Sequence, residues 1–205
     1  MTPSPVIHVI DDDVSLRTAL GRLLAASGYR VCGYESASAF LEADPGDGAG
    51  CILLDVHMPG LTGVQLQEHL AVRGCILPIV FLTGRADVAT SVRVIKAGAE
   101  DYLLKPIARE ALLDVIERSL RRWAVAAAAQ AELSGLRQRH ASLTAREQEV
   151  FALVIQGLMN KQIAYALGNS ERTVKAQRQA VMEKLGADSV ADLVTMGIKL
   201  GALKG

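Results

Sequence analysis

The chain has 205 residues, half of them hydrophobic, and its 22 Lys/Arg balance 22 Asp/Glu to a formal net charge of zero. That composition belongs to a folded protein rather than a disordered one, and the length allows one large domain or two small ones. No run of about 18 apolar residues offers a membrane span, and Met1-Thr2-Pro3-Ser4-Pro5 lacks the basic-then-apolar pattern of a signal peptide.

From Val6 onward, strand and helix patterns alternate. Val6-Ile7-His8-Val9-Ile10 is an apolar run that predicts a first buried strand, ending in Asp11-Asp12-Asp13. Leu16, Leu20, Leu23 and Leu24 recur at helical spacing, so a helix is expected over about 14–27, stopped by Gly28. A short strand follows at Tyr29–Gly33, then a short helix at Ser36–Ala43 and a Gly/Asp loop through Gly50. Cys51-Ile52-Leu53-Leu54 reads as a third strand that delivers Asp55 into the loop Val56-His57-Met58-Pro59-Gly60. Leu61–Val72 contains the third helix. Pro78–Thr83 is the fourth strand, with Pro78 at its first position, where a missing N–H costs least. Val88–Ala97 is the fourth helix, Asp101–Leu104 the fifth strand, and Lys105-Pro106 starts the fifth helix. Five strands with intervening helices predict a doubly wound α/β domain with a parallel sheet. Of the three cysteines, Cys32, Cys51 and Cys75, the first two are expected in the core. Their spacing suits no metal site, and a reducing cytoplasm is the expected setting.

The fifth helix is expected to run on through Trp123 and the alanine-rich stretch Ala124–Ala131 as a semi-rigid connector, with a break near Gly135 to Ser142. The expected boundaries are therefore a first domain over 1–122, a helical linker over 123–141 and a second domain over 142–205. The tail predicts four short helices. Thr144 caps the first, with Glu147 as its capping-box partner. Asn160 caps the second, Lys161–Leu167, and Gly168-Asn169 turns the chain. Ser170 caps the third, Glu171–Leu185, and Ser189 starts the fourth. Two helices joined by a Gly-containing turn, with Lys and Arg on the second, form a helix-turn-helix. Charge is distributed accordingly: residues 1–124 hold 12 Lys/Arg against 15 Asp/Glu, and residues 125–205 hold 10 against 7. The basic part is the one with the nucleic-acid-binding pattern.

Two strands ending in carboxylates at one edge of a parallel sheet place Asp11, Asp12 and Asp55 together, where such folds bind ligands. Oxygen ligands of this kind suit a hard divalent cation, Mg²⁺ above all. The fourth strand brings the Thr83 hydroxyl to that edge and the fifth brings the Lys105 ammonium. Together these groups can hold a phosphoryl group, with Asp55 as the nucleophile that forms an acyl phosphate. A cis peptide bond before Pro106 would turn Lys105 back into the site. In the tail, Lys175, Ala176, Arg178 and Gln179 fall near one broad face of the third helix. Lysine can read guanine, glutamine can read adenine and alanine can accept a thymine methyl. Arg172 and Lys161 suit phosphate contacts, which position without specifying.

These segments resemble a known family. Val9-Ile10-Asp11-Asp12, Leu54-Asp55-Val56-His57-Met58-Pro59-Gly60, Thr83-Gly84 and Asp101-Tyr102-Leu103-Leu104-Lys105-Pro106 are similar to the receiver domain of bacterial two-component response regulators, a flavodoxin-like fold. Leu143-Thr144-Ala145-Arg146-Glu147, Gly157-Leu158-Met159-Asn160-Lys161-Gln162-Ile163-Ala164 and Arg172-Thr173-Val174-Lys175 resemble the all-α output domain of the FixJ/LuxR class. The stretches Thr83-Gly84-Arg85-Ala86-Asp87-Val88 and Gly98-Ala99-Glu100-Asp101-Tyr102 point to its FixJ-like subgroup.

The resemblance implies a transcription regulator, not an enzyme, phosphorylated on Asp55 by a sensor histidine kinase. It implies Mg²⁺ held by Asp11, Asp12, Asp55 and the main-chain carbonyl of His57. Thr83 and Tyr102 correspond to the switch pair, beside Lys105 and Pro106. Val92, Lys96 and Tyr102 lie on the face through which the family forms a homodimer on phosphorylation. Lys161, Arg172, Thr173, Lys175, Ala176, Arg178 and Gln179 correspond to DNA-facing positions, for double-stranded promoter DNA and, through it, RNA polymerase. Asn169 stands where an aliphatic residue is common and is expected to loosen the turn or adopt a positive φ. Gln177 stands where histidine is common. If the receiver masks the basic module, residues 142–205 alone should bind DNA without phosphorylation.

Overall fold

The structure is a computed structural model that describes residues 5–46, 48–85 and 87–203. The first four residues of the N-terminal segment and Ala86, within the Thr83–Val88 stretch, lie outside the described residues, as do Asp47, Lys204 and Gly205. The chain divides into two units, Met1–Ala127 and Ala128–Gly205.

In the first unit, β1 (Val6–Ile10), β2 (Arg30–Tyr34), β3 (Gly50–Asp55), β4 (Ile79–Thr83) and β5 (Asp101–Leu104) form one sheet in the order β2-β1-β3-β4-β5. All pairs are parallel. The strands alternate with α1 (Val14–Ala26), α2 (Ala37–Ala43), α3 (Gly63–Val72) and α4 (Val88–Lys96). The period-2 geometry of β3 splits its side chains between two cores. Cys51 and Leu53 pack with Leu20, Leu24, Leu112 and Ile116 on one face. Ile52 and Leu54 pack with Phe40, Leu66 and Val94 on the other. Helices therefore cover both faces, which is why β3 and β4 are buried along their whole lengths.

The edge strand differs. β2 borders only β1, and its residues Arg30, Cys32 and Gly33 are exposed. Cys32 is thus a surface residue rather than a core one, on a strand with a neighbour on one side only; Cys51 is fully buried as expected.

The long helix α5 spans Arg109–Ala141. It begins beyond Lys105-Pro106, which belongs to the preceding turn, and it passes through Gly135 unbroken. Its last turns belong to the second unit, with α6 (Ala145–Ile155), α7 (Asn160–Leu167), α8 (Glu171–Leu185) and α9 (Val190–Lys199). There Leu136 is only 2% exposed. The His140 ring meets Phe151 edge-on at 5.2 Å, and Arg139 Nε donates to the Leu185 carbonyl at 3.2 Å.

Capping explains the tail's boundaries. Thr144 and Glu147 form the expected capping box. Glu147 also accepts from Lys184 Nζ at 2.7 and 2.8 Å, tying α6 to α8. Its carboxyl is held below its ordinary range by that lysine and by the Thr144 amide. Asn160 is not the cap of α7. Met159 occupies that position, and Gln162 Oε1 accepts from its amide at 2.8 Å. The Asn160 side-chain Oδ1 instead accepts from Arg178 Nη1 at 2.9 Å, a charged donor that competes well against a neutral amide. Asn169 does not take a positive φ either. Gly168 does, at 64°, so the left-handed position of the turn falls on the residue that tolerates it.

Candidate functional site

At the C-terminal edge of the sheet, β1 ends beside Asp11 and β3 ends in Asp55, paired through Ile10 and Leu54. One carboxylate oxygen from each of Asp11, Asp12 and Asp55 lies within 4.8 Å of the other two. Asp11 is fully buried, Asp55 nearly so, and Asp12 is exposed. The trio opens to solvent on the Asp12 side.

Lys105 neutralises the buried pair. Its Nζ donates to Asp11 Oδ2 at 2.6 Å and to Asp55 Oδ1 at 2.8 Å. The other oxygens are also engaged: Asp11 Oδ1 accepts from the Asp13 amide at 2.9 Å, and Asp55 Oδ2 from the His57 amide at 3.1 Å. Burial pushes the Asp55 carboxyl above its ordinary pKa; Lys105 opposes that shift and the Asp11 charge adds to it. Burial also works against the Lys105 ammonium, but hydrogen bonds to Asp11 and Asp55 carry its pKa upward. Each carboxylate oxygen retains a second lone pair, so the set still offers hard oxygen ligands and fits a hard divalent cation such as Mg²⁺.

Thr83 ends β4 fully buried. Its hydroxyl donates to the Arg85 carbonyl at 3.1 Å and accepts from the Arg85 amide at 3.2 Å. The half-buried Tyr102 packs against the core, and its hydroxyl donates to the same Arg85 carbonyl at 3.3 Å. Two side chains on neighbouring strands therefore share one main-chain acceptor. The Lys105–Pro106 peptide is cis, as expected. On α4, Val92 and Lys96 are exposed, Val92 by 47%.

Sequence reasoning missed three supports of this edge. Gly63 opens α3 so close to β3 that a Cβ there would lie 2.1 Å from the Asp55 carbonyl oxygen. The adjacent Thr62 capping box is the signal that the chain turns there. Asp13 caps α1, accepting from the amides of Ser15 and Leu16. Arg17 Nη1 donates to the Asp11 carbonyl at 2.6 Å. Its signal is a cation in the first turns of a helix, where the macrodipole disfavours one.

The second unit presents a different surface. On α8, Val174, Val181 and Leu185 are buried, while Arg172, Thr173, Lys175, Ala176 and Gln179 are exposed. Lys161 is exposed on α7. Arg178 is half-buried, and its bond to Asn160 spends one arm of its fork within the protein. Gln177 turns partly inward, with a buried Oε1. The Thr173 hydroxyl pairs with Ser170 at 2.8 Å.

Comparison with known proteins assigns a family to each part of the chain. Residues 7–117 match the family described as the response regulator receiver domain, and residues 141–197 match the luxR family of bacterial regulatory proteins. The chain is 39% identical to the transcriptional regulatory protein FixJ of Bradyrhizobium diazoefficiens, over 99% of both chains. It is 40% identical to nodulation protein W of the same organism, over 96% of this chain and 86% of that one. Among solved structures it is similar to the response regulator StyR, with a TM-score of 0.82 and 44% identity over 96% of this chain and 99% of that one.

Proposed function

The chain belongs to the response regulators of the FixJ/LuxR class, and from that premise we propose how its residues divide the work. It is a phosphorylation-dependent regulator with a receiver domain and a LuxR-type DNA-binding domain. Asp55 is the phosphoryl acceptor, and the donor is the phosphohistidine of a sensor kinase. An Asp55 carboxylate oxygen attacks phosphorus, the P–N bond of the donor breaks, and the electron pair leaves with the imidazole. The product is an aspartyl phosphate.

The observation that carries this reading is the arrangement around Asp55. It is a nearly buried carboxylate at a strand end, hydrogen-bonded by Lys105 and within 4.8 Å of Asp11 and Asp12. Asp11, Asp12, Asp55 and the His57 carbonyl would hold Mg²⁺, which when bound would neutralise non-bridging phosphoryl oxygens. Lys105 is already at hydrogen-bonding distance of the acceptor and would stabilise the same charge. Thr83 and Tyr102 read the new group, supported by their shared hold on Arg85. The protein then acts as a cytoplasmic switch rather than a turnover enzyme. Its output is a homodimer formed through the face bearing Val92, Lys96 and Tyr102, which binds promoter DNA and acts on RNA polymerase.

Lys175, Ala176 and Gln179 face bases in this reading, and Lys161, Arg172 and Thr173 face the backbone; their exposure on α7 and α8 supports it. Arg178 braces α8 through Asn160 and has its remaining donors for DNA. The test of the acceptor is intact-mass measurement after incubation with Mg²⁺ and a small phosphoryl donor. Wild type should gain one phosphoryl group and D55N none. Undiminished labelling of D55N would refute the assignment.

A further inference from the structure

We propose that Arg17 is a positioning residue for the divalent-cation site, holding the loop between β1 and α1 in the shape that brings Asp11 and Asp12 to Asp55. The inference rests on the reading of that trio as a cation site. Three observations carry it.

The first is the hydrogen bond. Arg17 Nη1 donates to the main-chain oxygen of Asp11 at 2.6 Å, a short charge-assisted bond to a residue that is fully buried. The Asp11 amide continues the ladder by donating to the Tyr34 carbonyl at 3.2 Å, but its own carbonyl lies where β1 has ended. A buried carbonyl without a partner is costly, and the guanidinium supplies one.

The second is placement. Arg17 sits in α1 just after its first turn, where the positive end of the helix dipole opposes a cation. A location that the helix disfavours is explained by a partner outside the helix. Arg17 also closes its own backbone onto the loop, its amide donating to the Asp13 carbonyl at 3.0 Å.

The third is what the rest of the loop does. Asp13 spends its side chain capping α1, and its amide braces Asp11 Oδ1 at 2.9 Å. The loop is therefore pinned at Asp13 by the helix, at the Asp11 carboxylate by Lys105, and at the Asp11 carbonyl by Arg17. Asp12 lies between these pins. Its direction is set by the peptide that Arg17 holds.

The sign of the effect separates positioning from simple charge. Arg17 adds a positive charge beside three carboxylates. If charge were its whole contribution, removing it would tighten a cation. If it positions the loop, removing it weakens the cation despite the lost repulsion. Outer partners of metal ligands typically contribute about 10–100-fold in affinity.

The experiment is calorimetric titration of Mg²⁺ into the full chain, comparing wild type, R17M, R17K and D12A. Thermal unfolding is measured in parallel without cation. R17M keeps the stem and the helix propensity; R17Q, too short to reach the carbonyl, is made alongside should R17M fail to fold. The expected result is a tenfold or greater loss of Mg²⁺ affinity in R17M or R17Q, with most of it restored in R17K, whose ammonium can donate to the same oxygen. Unchanged or tighter binding in R17M, or in R17Q if it stands in, would overturn the proposal, as would lowered stability with an untouched Mg²⁺ constant. D12A distinguishes the two layers of the argument. If D12A binds Mg²⁺ like wild type, the cation site itself has been misassigned and the role of Arg17 falls with it.

Discussion

Replacing Leu136 by Ala should destabilise the DNA-binding unit, although residue 136 precedes the matched luxR-family segment at 141–197. Leu136 is 2% exposed, and the same stretch of α5 carries the His140–Phe151 ring contact and the Arg139 bond to Leu185. Truncating a buried leucine removes its transfer free energy and leaves a cavity, together about 2–5 kcal/mol. A unit of this size has a total stability of roughly 4–12 kcal/mol. The loss is thus a large fraction of what holds α6 to α9 together. Hydrogen exchange of the full chain is the assay, because it reads each unit separately. Protection of the buried amides around Val150, Phe151, Val181 and Leu185 should fall by a factor of roughly 30 or more, at about 1.4 kcal/mol per tenfold. R137A, on the exposed side of the same turn, is the control. If L136A changes those amides no more than R137A does, the last turns of α5 are a linker. Otherwise an autonomous DNA-binding fragment must start near residue 128, and one cut at 142 is crippled for reasons unrelated to masking by the receiver.

Two further outcomes follow from particular side chains. K175A should cost about 1–3 kcal/mol at a cognate site and much less at random DNA, whereas R172A should weaken both alike and lower the salt slope by roughly one; a salt titration on cognate and scrambled duplexes checks this, and the opposite pattern reverses the two roles. His8 is buried on β1 beside Tyr34 and Phe40, and burial lowers its pKa below 6.5. The unfolded chain therefore takes up that proton first, so stability is full above about pH 6.5 and declines as pH falls through 6.5 toward the lowered folded value. Urea midpoints from pH 8 to 5 should show this decline in wild type beyond that of H8Q, and parallel curves would remove His8 as the cause.

What the sequence made legible follows from how each feature is encoded. Buried strands are written as continuous apolar runs, so β1, β3 and β4 stand out, and with them the strand ends that carry Asp11, Asp55 and Thr83. Helix caps are short local patterns, so the Thr144–Glu147 box could be read directly. Cys32 was misread because an apolar pattern does not say whether a strand lies inside the sheet or at its edge. Asn160 was misread because a residue with good capping chemistry was claimed by Arg178, which is distant in sequence and adjacent only after α8 packs. Arg17 is legible only as a cation in an unfavourable place on its helix, because its partner is a main-chain oxygen whose identity the side-chain pattern does not give. Local chemistry is legible, while competition between local and long-range partners is decided by packing.

The Arg85 carbonyl shows how packing could turn a charge change into a signal. Both hydroxyls that read the phosphoryl group in the proposed mechanism, Thr83 and Tyr102, donate to that one oxygen. A phosphoryl group on Asp55 would offer Thr83 a stronger, charged acceptor at the same sheet edge. Thr83 would then give up its donation to the Arg85 carbonyl, although its oxygen can still accept from the Arg85 amide. The Tyr102 hydroxyl still donates to that carbonyl, which couples Arg85, in the short segment after β4, to the aromatic ring. The segment leads into α4, whose first turn is capped by Asp87 and whose Val94 carbonyl is held by the buried Gln67 Nε2 of α3 at 3.1 Å. α4 is thus fastened near its C-terminal end and coupled to the switch at its N-terminal end. In the proposed mechanism a displacement at that N-terminal end would carry the exposed face bearing Val92 and Lys96 with it. That face is the proposed dimer surface, so in the proposed mechanism the rearranged hydrogen bond at the sheet edge is relayed to the place where two receivers would meet.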